Sequence, residues 1–171
     1  RDSSTSRGLG DVYKRQVLEK ATENVADMMR DIELHFAYRA RQEKKEIILS
    51  GSDHLSLFCD RDWLNEAIDN IVKNAFDHTE SGATIRVAWK ELPSGVQIVI
   101  TDNGCGIHPE DIHHIFKRFY RSRFSKDTQG IGLGLPLAKA IIEAHGGLIE
   151  VESELGIGTS FIMNFPIPTK L

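Results

Sequence analysis

The sequence predicts an α+β fold, a two-layer α/β sandwich in which helices cover one face of a mixed, mostly antiparallel sheet. Two observations predict this class. Three segments repeat apolar residues at the three-to-four spacing of amphipathic helices, while several shorter segments alternate apolar and polar residues as strands do. Several of the strand-like segments follow one another through short turns, which favours antiparallel pairing with the helices segregated to one face.

The composition agrees with a single domain and narrows its partners. The 171 residues are 40% hydrophobic and carry a net charge of -4. They can bury one substantial core, but they lack the concentrated basic face with which proteins bind nucleic acid. Cys59 and Cys105 have no metal-ligand spacing and are typical of reduced thiols in a cytosolic protein. We therefore expect a cytoplasmic domain with no nucleic-acid partner.

The N-terminal third is expected to hold a leader, one helix and two strands. Residues 1–16 are rich in serine, glycine and charge, which predicts a disordered or non-native leader. From Val17 onward apolar residues recur at helical spacing, so we expect a helix that ends near Lys44. Two strand candidates follow at residues 47–49 and 55–59, separated by turn-forming residues.

The middle of the chain predicts a second helix and a hairpin. Either Asp60 or Asp62 can cap the helix, which carries a continuous apolar stripe and ends between residues 78 and 82. Residues 85–89 and 96–101 alternate apolar and polar side chains around a Pro-Ser-Gly turn. We expect these two strands to pair in antiparallel fashion.

The C-terminal part predicts a long loop, a third helix and a second strand pair. Residues 103–132 lack sustained periodicity, which indicates a long loop with one short helix near residues 111–119. The third helix should run from about residue 135 to residue 145 and stop at two glycines. Strands at 148–153 and 160–165 should follow, joined by a glycine turn.

Two asparagines on the second helix are candidate ligand residues. Asn70 and Asn74 stand four residues apart, so their side chains share one face beside the apolar stripe. Asn74 could supply one of the hard oxygen ligands that Mg²⁺ prefers. Ordinary surface asparagines would show the same spacing, so spacing alone leaves both interpretations open.

Asp102 is a candidate for binding an amino group of a ligand. It ends an apolar strand and begins the string Asp-Asn-Gly-Cys-Gly-Ile, in which Gly104 and Gly106 permit close approach of the backbone. A carboxylate at the floor of a pocket can accept a hydrogen bond from such a group. The same string also forms plain turns, so it is weak on its own.

Three further strings are compatible with nucleotide binding. Residues 130–135 run directly into the third helix, whose N-terminus can bind phosphate, although the string matches neither the Rossmann nor the Walker motif. Residues 115–121 combine aromatic side chains with basic ones such as Arg118, which could reach a terminal phosphate from a mobile loop or form a solvated helix face. Residues 156–161 join the last two strands, where a hairpin turn is the simpler interpretation.

In this order the motifs resemble the ATP-binding domain of sensor histidine kinases, within the wider GHKL ATPase group, along residues 25–166. The resemblance implies a Bergerat-type fold, with ATP between one helix and a flexible lid, and ATP and Mg²⁺ as cofactors. The strings similar to the family motifs are residues 70–79 (N box), 102–106 (G1), 115–121 (F), 130–135 (G2) and 156–161 (G3).

The resemblance also implies roles for single residues. Asn74 would bind Mg²⁺, Asp102 would contact the adenine amino group, and Gly104 and Gly106 would shape the adenine pocket. Catalytic roles would fall on Asn70, Lys73, Asn74 and Arg118. The remaining nucleotide contacts implied are Asn70, His78, Ile107, Phe119, Tyr120, Gly130, Gly132, Leu133, Gly134, Leu135 and Thr159, of which Gly132 and Gly134 would approach the phosphates.

Two departures from the family pattern bear on mechanism. Many members carry lysine and tyrosine where this chain has Asp77 and His78, and we hypothesise that Lys73, one turn earlier, pairs with Asp77 or compensates for it. Hydrolytic members carry a glutamate in place of Asn70 as the general base for water. Its absence favours phosphoryl transfer to another acceptor over hydrolysis.

The acceptor histidine itself is not expected in this chain. No string resembles the family's acceptor motif, and the neighbours of His35 do not match it. Residues 17–24 are interpreted as the tail of a dimerisation helix or a linker, 25–167 as the ATP-binding domain and 168–171 as a C-terminal tail. The expected partners are a histidine-containing dimerisation domain in a homodimeric parent, which could be anchored in the plasma membrane, and a response regulator downstream.

Three alternatives remain open from the sequence. The chain could be a GHKL ATPase that hydrolyses ATP to drive a conformational switch. It could be a serine-directed kinase of the anti-sigma type, although the glutamate of that group is missing at Asn70. It could also be a nucleotide-sensing module without catalysis, which Asp77 in place of the expected lysine would favour.

Overall fold

The computed structural model describes residues 17–117, 120 and 134–167. Within these residues the elements are, in chain order, β1 (Ala21–Asn24), α1 (Val25–Glu43), β2 (Glu46–Ser50), β3 (Ser56–Cys59), α2 (Arg61–Asp77), β4 (Thr84–Leu92), β5 (Gly95–Asp102), α3 (Gly134–Ala144), β6 (Leu148–Glu154) and β7 (Gly158–Pro166). None of the helices in this part of the chain has the length and apolar character needed to cross a membrane.

Five strands form one mixed sheet in the order β2–β4–β5–β7–β6, and β1 pairs with β3 in a separate two-stranded sheet. Only β2 and β4 run parallel within the five-stranded sheet, since the chain passes through β3 and α2 between them. The predicted hairpin of β4 and β5 and the predicted pair of β6 and β7 are both antiparallel. The α+β class and the mostly antiparallel sheet are confirmed.

The core lies between the helices and one face of the sheet. Strand alternation places most of the apolar side chains of β4, β5 and β7 on this face. It leaves Arg86, Thr101 and Ser160, together with Val99 and Ile162, on the other. Each large apolar side chain that is fully buried contributes roughly 1.5–3 kcal/mol to stability. The buried sheet residues are Ile85, Val87, Trp89, Val96, Ile98, Ile100, Phe161, Met163 and Phe165, and they pack against the apolar stripes of α1, α2 and α3.

The first helix begins at Val25, so the predicted helical conformation of residues 17–24 is wrong. Asn24 caps the helix, because its side-chain oxygen accepts a hydrogen bond of 2.9 Å from the N–H of Asp27. Residues 21–24 pair with β3 instead, and Val17 is 86% exposed. The apolar spacing of this stretch is helical, but pairing with a strand more than 30 residues away determines its structure.

Two other boundaries are refined by the structure. Asp60 is the N-cap of α2, since its carboxylate accepts a hydrogen bond from the N–H of Trp63. The short helix predicted at residues 111–119 is absent from residues 111–117, which form successive turns closed by hydrogen bonds three residues apart, such as that from the N–H of His114 to the carbonyl of Asp111.

Candidate functional site

Helix α2 and the start of α3 bring Asn70 close to Gly134, a glycine of the 130–135 string. The Asn70 side-chain nitrogen donates to the carbonyl of Glu66 at 3.1 Å, and its oxygen would lie 3.4 Å from a Cβ atom placed on Gly134. Asn74 is half-buried one turn further along α2, and its side chain has no hydrogen-bond partner among the described residues. No group in the described part of the chain therefore competes with a ligand for its oxygen.

Asp102 lies at the end of β5 and is 6% exposed. Its carboxylate accepts a hydrogen bond of 2.9 Å from the N–H of Gly104 and another from the N–H of Thr159, which pairs with Asp102 from the neighbouring strand β7. Burial raises the pKa of this carboxyl, and the two hydrogen bonds counter part of that effect. A carboxylate can accept more than two hydrogen bonds, so Asp102 retains capacity for a ligand donor.

The turn after Asp102 is packed too closely for side chains at its glycines. A Cβ atom on Gly104 would lie 2.5 Å from the carbonyl oxygen of His78, at the end of α2. Gly106 has a φ of +80° and would place a Cβ atom 2.4 Å from the carbonyl oxygen of Glu154. The turn is therefore held between the end of α2 and the β6–β7 turn.

A hydroxyl network fixes the far side of this turn. The Ser153 hydroxyl accepts a hydrogen bond of 2.7 Å from the N–H of Ile107 and lies 3.0 Å from the hydroxyl of Thr159. Thr159 is 6% exposed and pairs with Asp102 across the two strands, while its predicted contact with the adenine stays a prediction. Sequence reasoning missed Ser153, although strand alternation in β6 puts it on the same face as the apolar Ile149 and Val151.

Thr79 was also missed. It is buried, its hydroxyl donates to the carbonyl of Ala75 at 2.9 Å, and its methyl group would lie 3.0 Å from a Cβ atom on Gly104. The signal available in the sequence was its position two residues after the end of α2, where a hydroxyl side chain can satisfy a free helix carbonyl.

Asp77 is paired with two cations. Lys73 and Asp77 form the ion pair hypothesised from their spacing, with 2.8 Å between Nζ and Oδ2. Arg39 of α1 binds the other carboxylate oxygen, also at 2.8 Å, and was not anticipated because it comes from a distant part of the sequence. Asp77 therefore links α2 to α1.

The remaining predicted residues divide into two groups. Tyr120 donates its hydroxyl proton to Asp111 and packs against the ring of His114, and Leu135 is packed against the core. Arg118, Phe119, Gly130, Gly132 and Leu133 lie outside the described residues.

A cavity of about 600 Å³ borders the Asp102 turn from the uncovered face of the sheet. Its lining includes Arg86, Thr101, Glu152 and Ser160, which share that face by strand register. It does not include Asn70, Asn74 or Gly134, so it is not the space between α2 and α3.

The model of the histidine kinase-, DNA gyrase B-, and HSP90-like ATPase family matches residues 59–169. The sensor protein SrrB of Staphylococcus aureus is 41% identical over 111 residues, which are 64% of this chain and 19% of SrrB. The chain thus spans about a fifth of the length of this curated relative.

Solved histidine kinase structures share the fold. The nucleotide-free catalytic domain of the histidine kinase ThkA is 26% identical, with a TM-score of 0.76 over 87% of this chain and 96% of that one. Full-length ShkA in complex with AMPPNP has a TM-score of 0.81 at 24% identity, covering 98% of this chain and 37% of ShkA. ThkA in complex with the response regulator protein TrrA has a TM-score of 0.77 at 23% identity, covering 96% and 47%.

Proposed function

The chain belongs to the histidine kinase-, DNA gyrase B-, and HSP90-like ATPase family, and we propose that it presents Mg-ATP for transfer of the γ-phosphoryl group to a histidine on a separate dimerisation domain. The observation that carries this proposal is the arrangement along α2. The side-chain oxygen of Asn70 lies beside Gly134, and the backbone carbonyl of His78, at the C-terminal cap of the helix, lies beside Gly104. These two positions are eight residues and therefore about 12 Å apart along the helix, which suits a nucleotide lying lengthwise between them.

The base would bind at the Asp102 end. The remaining acceptor capacity of the buried carboxylate suits the exocyclic amino group of adenine, whereas guanine presents a carbonyl oxygen at the corresponding position. Two acceptors facing each other in a buried site leave both unpaired, which disfavours guanine. Thr159 and the Asp102–Ile107 turn would surround the base.

The phosphates would bind at the other end, near the N-terminus of α3. Free backbone N–H groups and the helix dipole favour anions at this position. Asn74 lies between the two ends, and its side-chain oxygen, which has no hydrogen-bond partner in the described part of the chain, fits a Mg²⁺ ion that takes its other ligands from water and phosphate. The ion, when bound, would neutralise phosphate charge as the phosphoryl group departs.

Asn70 supports transfer over hydrolysis. An amide cannot act as the general base that activates water, and the Asn70 side-chain nitrogen is already bound to the carbonyl of Glu66. ATP held in this way would remain intact until an acceptor histidine approaches. We extend the proposal to a homodimeric parent that signals in the cytoplasm and to a response regulator downstream. The ThkA–TrrA complex supports the response regulator by analogy of fold.

Phosphohistidine formation in the parent protein tests the proposal. Incubation with γ-labelled ATP should give an acid-labile, base-stable label, and Asn74→Ala should reduce its rate by about a hundredfold or more. Asn65→Ala is the matched control, since Asn65 lies on the same helix but contacts Asp31 of α1, and it should label normally.

Two outcomes would contradict the proposal. Steady release of inorganic phosphate without a labelled histidine would favour the hydrolysing ATPase. Tight ATP binding with neither product would favour the nucleotide-sensing module.

A further inference from the structure

Lys45, between α1 and β2, is a buried lysine with a complete set of partners. Its side chain is 4% exposed. The ammonium group donates to the carboxylate of Glu43 at 2.7 Å, to the carbonyl of Phe76 at 2.7 Å and to the carbonyl of Thr79 at 2.9 Å. An ammonium group has three N–H donors, so all of them are used.

One carbonyl belongs to Phe76 in the last turn of α2, and the other to Thr79, two residues beyond the end of the helix. The last carbonyls of a helix lack partners within the helix and carry partial negative charge, which a cation stabilises. Helix α2 has no basic residue in its own last turn. Lys45 supplies that cation from another part of the chain.

The end of α2 held by Lys45 is the surface against which the Asp102 turn packs. The carbonyl of His78 and the methyl group of Thr79 both lie against Gly104, within 2.5 Å and 3.0 Å of where a Cβ atom would stand. Gly104 in turn donates its N–H to the Asp102 carboxylate at 2.9 Å. A continuous chain of contacts therefore leads from the Lys45 ammonium group to the Asp102 carboxylate.

Neighbouring groups restrict the movement of Lys45. Glu43 binds Arg39 as well as Lys45, and both cations lie over the ring of Phe76, at 5.2 Å and 5.6 Å from its centroid. Phe36 stacks on the same ring at 5.2 Å. The ammonium group is thus fixed relative to both α1 and α2.

We propose that Lys45 is a positioning residue for recognition of the adenine base, acting by holding the end of α2 against the Asp102–Gly104 turn. The inference rests on the proposed nucleotide site. Loss of Lys45 should let the turn shift, so that Asp102 no longer meets the amino group at hydrogen-bonding distance. The phosphate end of the site, two helical turns away, should be unaffected.

Lys45→Met, which keeps the length and apolar stem of the side chain, tests this in the full chain. We expect the Kd for ADP to rise about tenfold and the preference for ADP over GDP to fall by a similar factor, while the Kd for inorganic pyrophosphate stays unchanged. Lys45→Arg retains charge and donors and should restore part of the preference.

Arg61→Met is the matched control. Arg61 bridges Glu23 and Asp31 at the opposite end of α2, so its loss also removes two ion pairs of this helix. It should lower the melting temperature without changing the ADP to GDP ratio. If Lys45→Met does not fold, Lys45→Gln, which can serve only some of the same oxygens, is measured in its place.

The result that overturns the inference is an unchanged ADP to GDP ratio in the folded Lys45 variant, or an equal loss for both nucleotides and pyrophosphate. Failure of the unmodified chain to bind ADP would instead overturn the proposed function, and the inference with it.

Discussion

At the scale of single residues, the two cysteines differ in their surroundings. Cys59 is buried beside Met28, and burial raises the pKa of its thiol to about 12. Cys105 is exposed, between the two glycines of the Asp102 turn. Because the thiolate is the reactive form, alkylation of the folded chain should be confined to Cys105.

Protection of Cys105 by nucleotide follows from the proposed position of the base. Saturating Mg-ADP should slow alkylation of Cys105 by iodoacetamide about fivefold or more, as measured by peptide mass spectrometry. Cys105→Ser should leave the folded chain unlabelled, and unfolding should expose Cys59. Equal labelling rates with and without nucleotide would contradict binding at this turn.

Asp102 should give nucleotide binding a distinct pH dependence. Burial raises the pKa of its carboxyl, so acidification protonates it at a higher pH than an ordinary aspartate, and the Kd for ADP should rise there. The folded chain without nucleotide responds oppositely. It holds this proton more tightly than the unfolded chain, so the Asp102 contribution to stability falls as pH rises through that window.

Asp102→Asn tests both pH dependences together, that of ADP binding and that of stability. The variant should lose the acid-dependent weakening of ADP binding and also this contribution to the pH dependence of the melting temperature. Asp62→Asn, at an exposed position in the first turn of α2, is the control and should retain both. A parallel pH profile for the wild type and Asp102→Asn would refute the role of Asp102.

The site residues that could be predicted from sequence are those within contiguous motifs. Asp102 and Gly104 lie two positions apart, and their contact is local. Lys45, by contrast, reaches Thr79 across 34 positions, and Arg39 reaches Asp77 across 38. Contacts of this kind depend on helix packing, which spacing within one segment does not reveal.

At the scale of elements, α1 and α2 are joined by polar contacts at regular intervals. Asp31, His35 and Arg39 stand four residues apart on α1, and they bind Arg61, Asp69 and Asp77 of α2 respectively. The residue numbers of the partners increase along both helices, so α1 and α2 run in the same direction. His35 is therefore occupied by a structural contact, consistent with its mismatch to an acceptor motif.

A second link joins α2 to α3. The partly buried ring of His145, just after α3, accepts a hydrogen bond from the N–H of Asp60 at 3.0 Å, and its other nitrogen lies 2.9 Å from the carbonyl of Ile141. Only the neutral ring satisfies both contacts, with its proton on Nδ1. Burial lowers the pKa of His145 in agreement with this state.

This link predicts acid sensitivity of the fold. The unfolded chain protonates the histidine near its ordinary pKa of 6.5, whereas the folded chain resists protonation, so stability should fall as pH drops below that value. His145→Gln should reduce this slope and cost about 1 kcal/mol at neutral pH. Urea unfolding at several pH values measures both, with the half-exposed His35→Gln as control. An unchanged slope in His145→Gln would contradict the assignment.

Element boundaries were predictable where local signals agree. The Asp60 cap and the apolar stripe of α2 both mark the same helix, and the structure contains it. Residues 17–24 have helical spacing but form β1 with a distant strand, because an Asn24 cap and strand pairing outweigh a short apolar repeat. Such pairing cannot be inferred from the segment alone.

At the scale of the whole molecule, the order of the motifs along the chain predicted the fold more reliably than the sequence pattern of any single element. The predicted sandwich is confirmed, and its sheet end collects Asp102 and Thr159 on adjacent strands. In the 130–135 string, for which phosphate binding stays a prediction, Gly130, Gly132 and Leu133 lie outside the described residues.

Helix α2 is anchored at both of its ends by side chains from other elements, His145 at Asp60 and Lys45 at Phe76 and Thr79. Both ends are therefore held against neighbouring elements, and the same helix contacts the start of α3 through Asn70 and the Asp102 turn through His78. In the proposed binding mode, the interval of about 12 Å between these two contacts would select the number of phosphates as well as the base. AMP would fall short of the second end, whereas ATP would span it and project its last phosphorus toward an incoming imidazole.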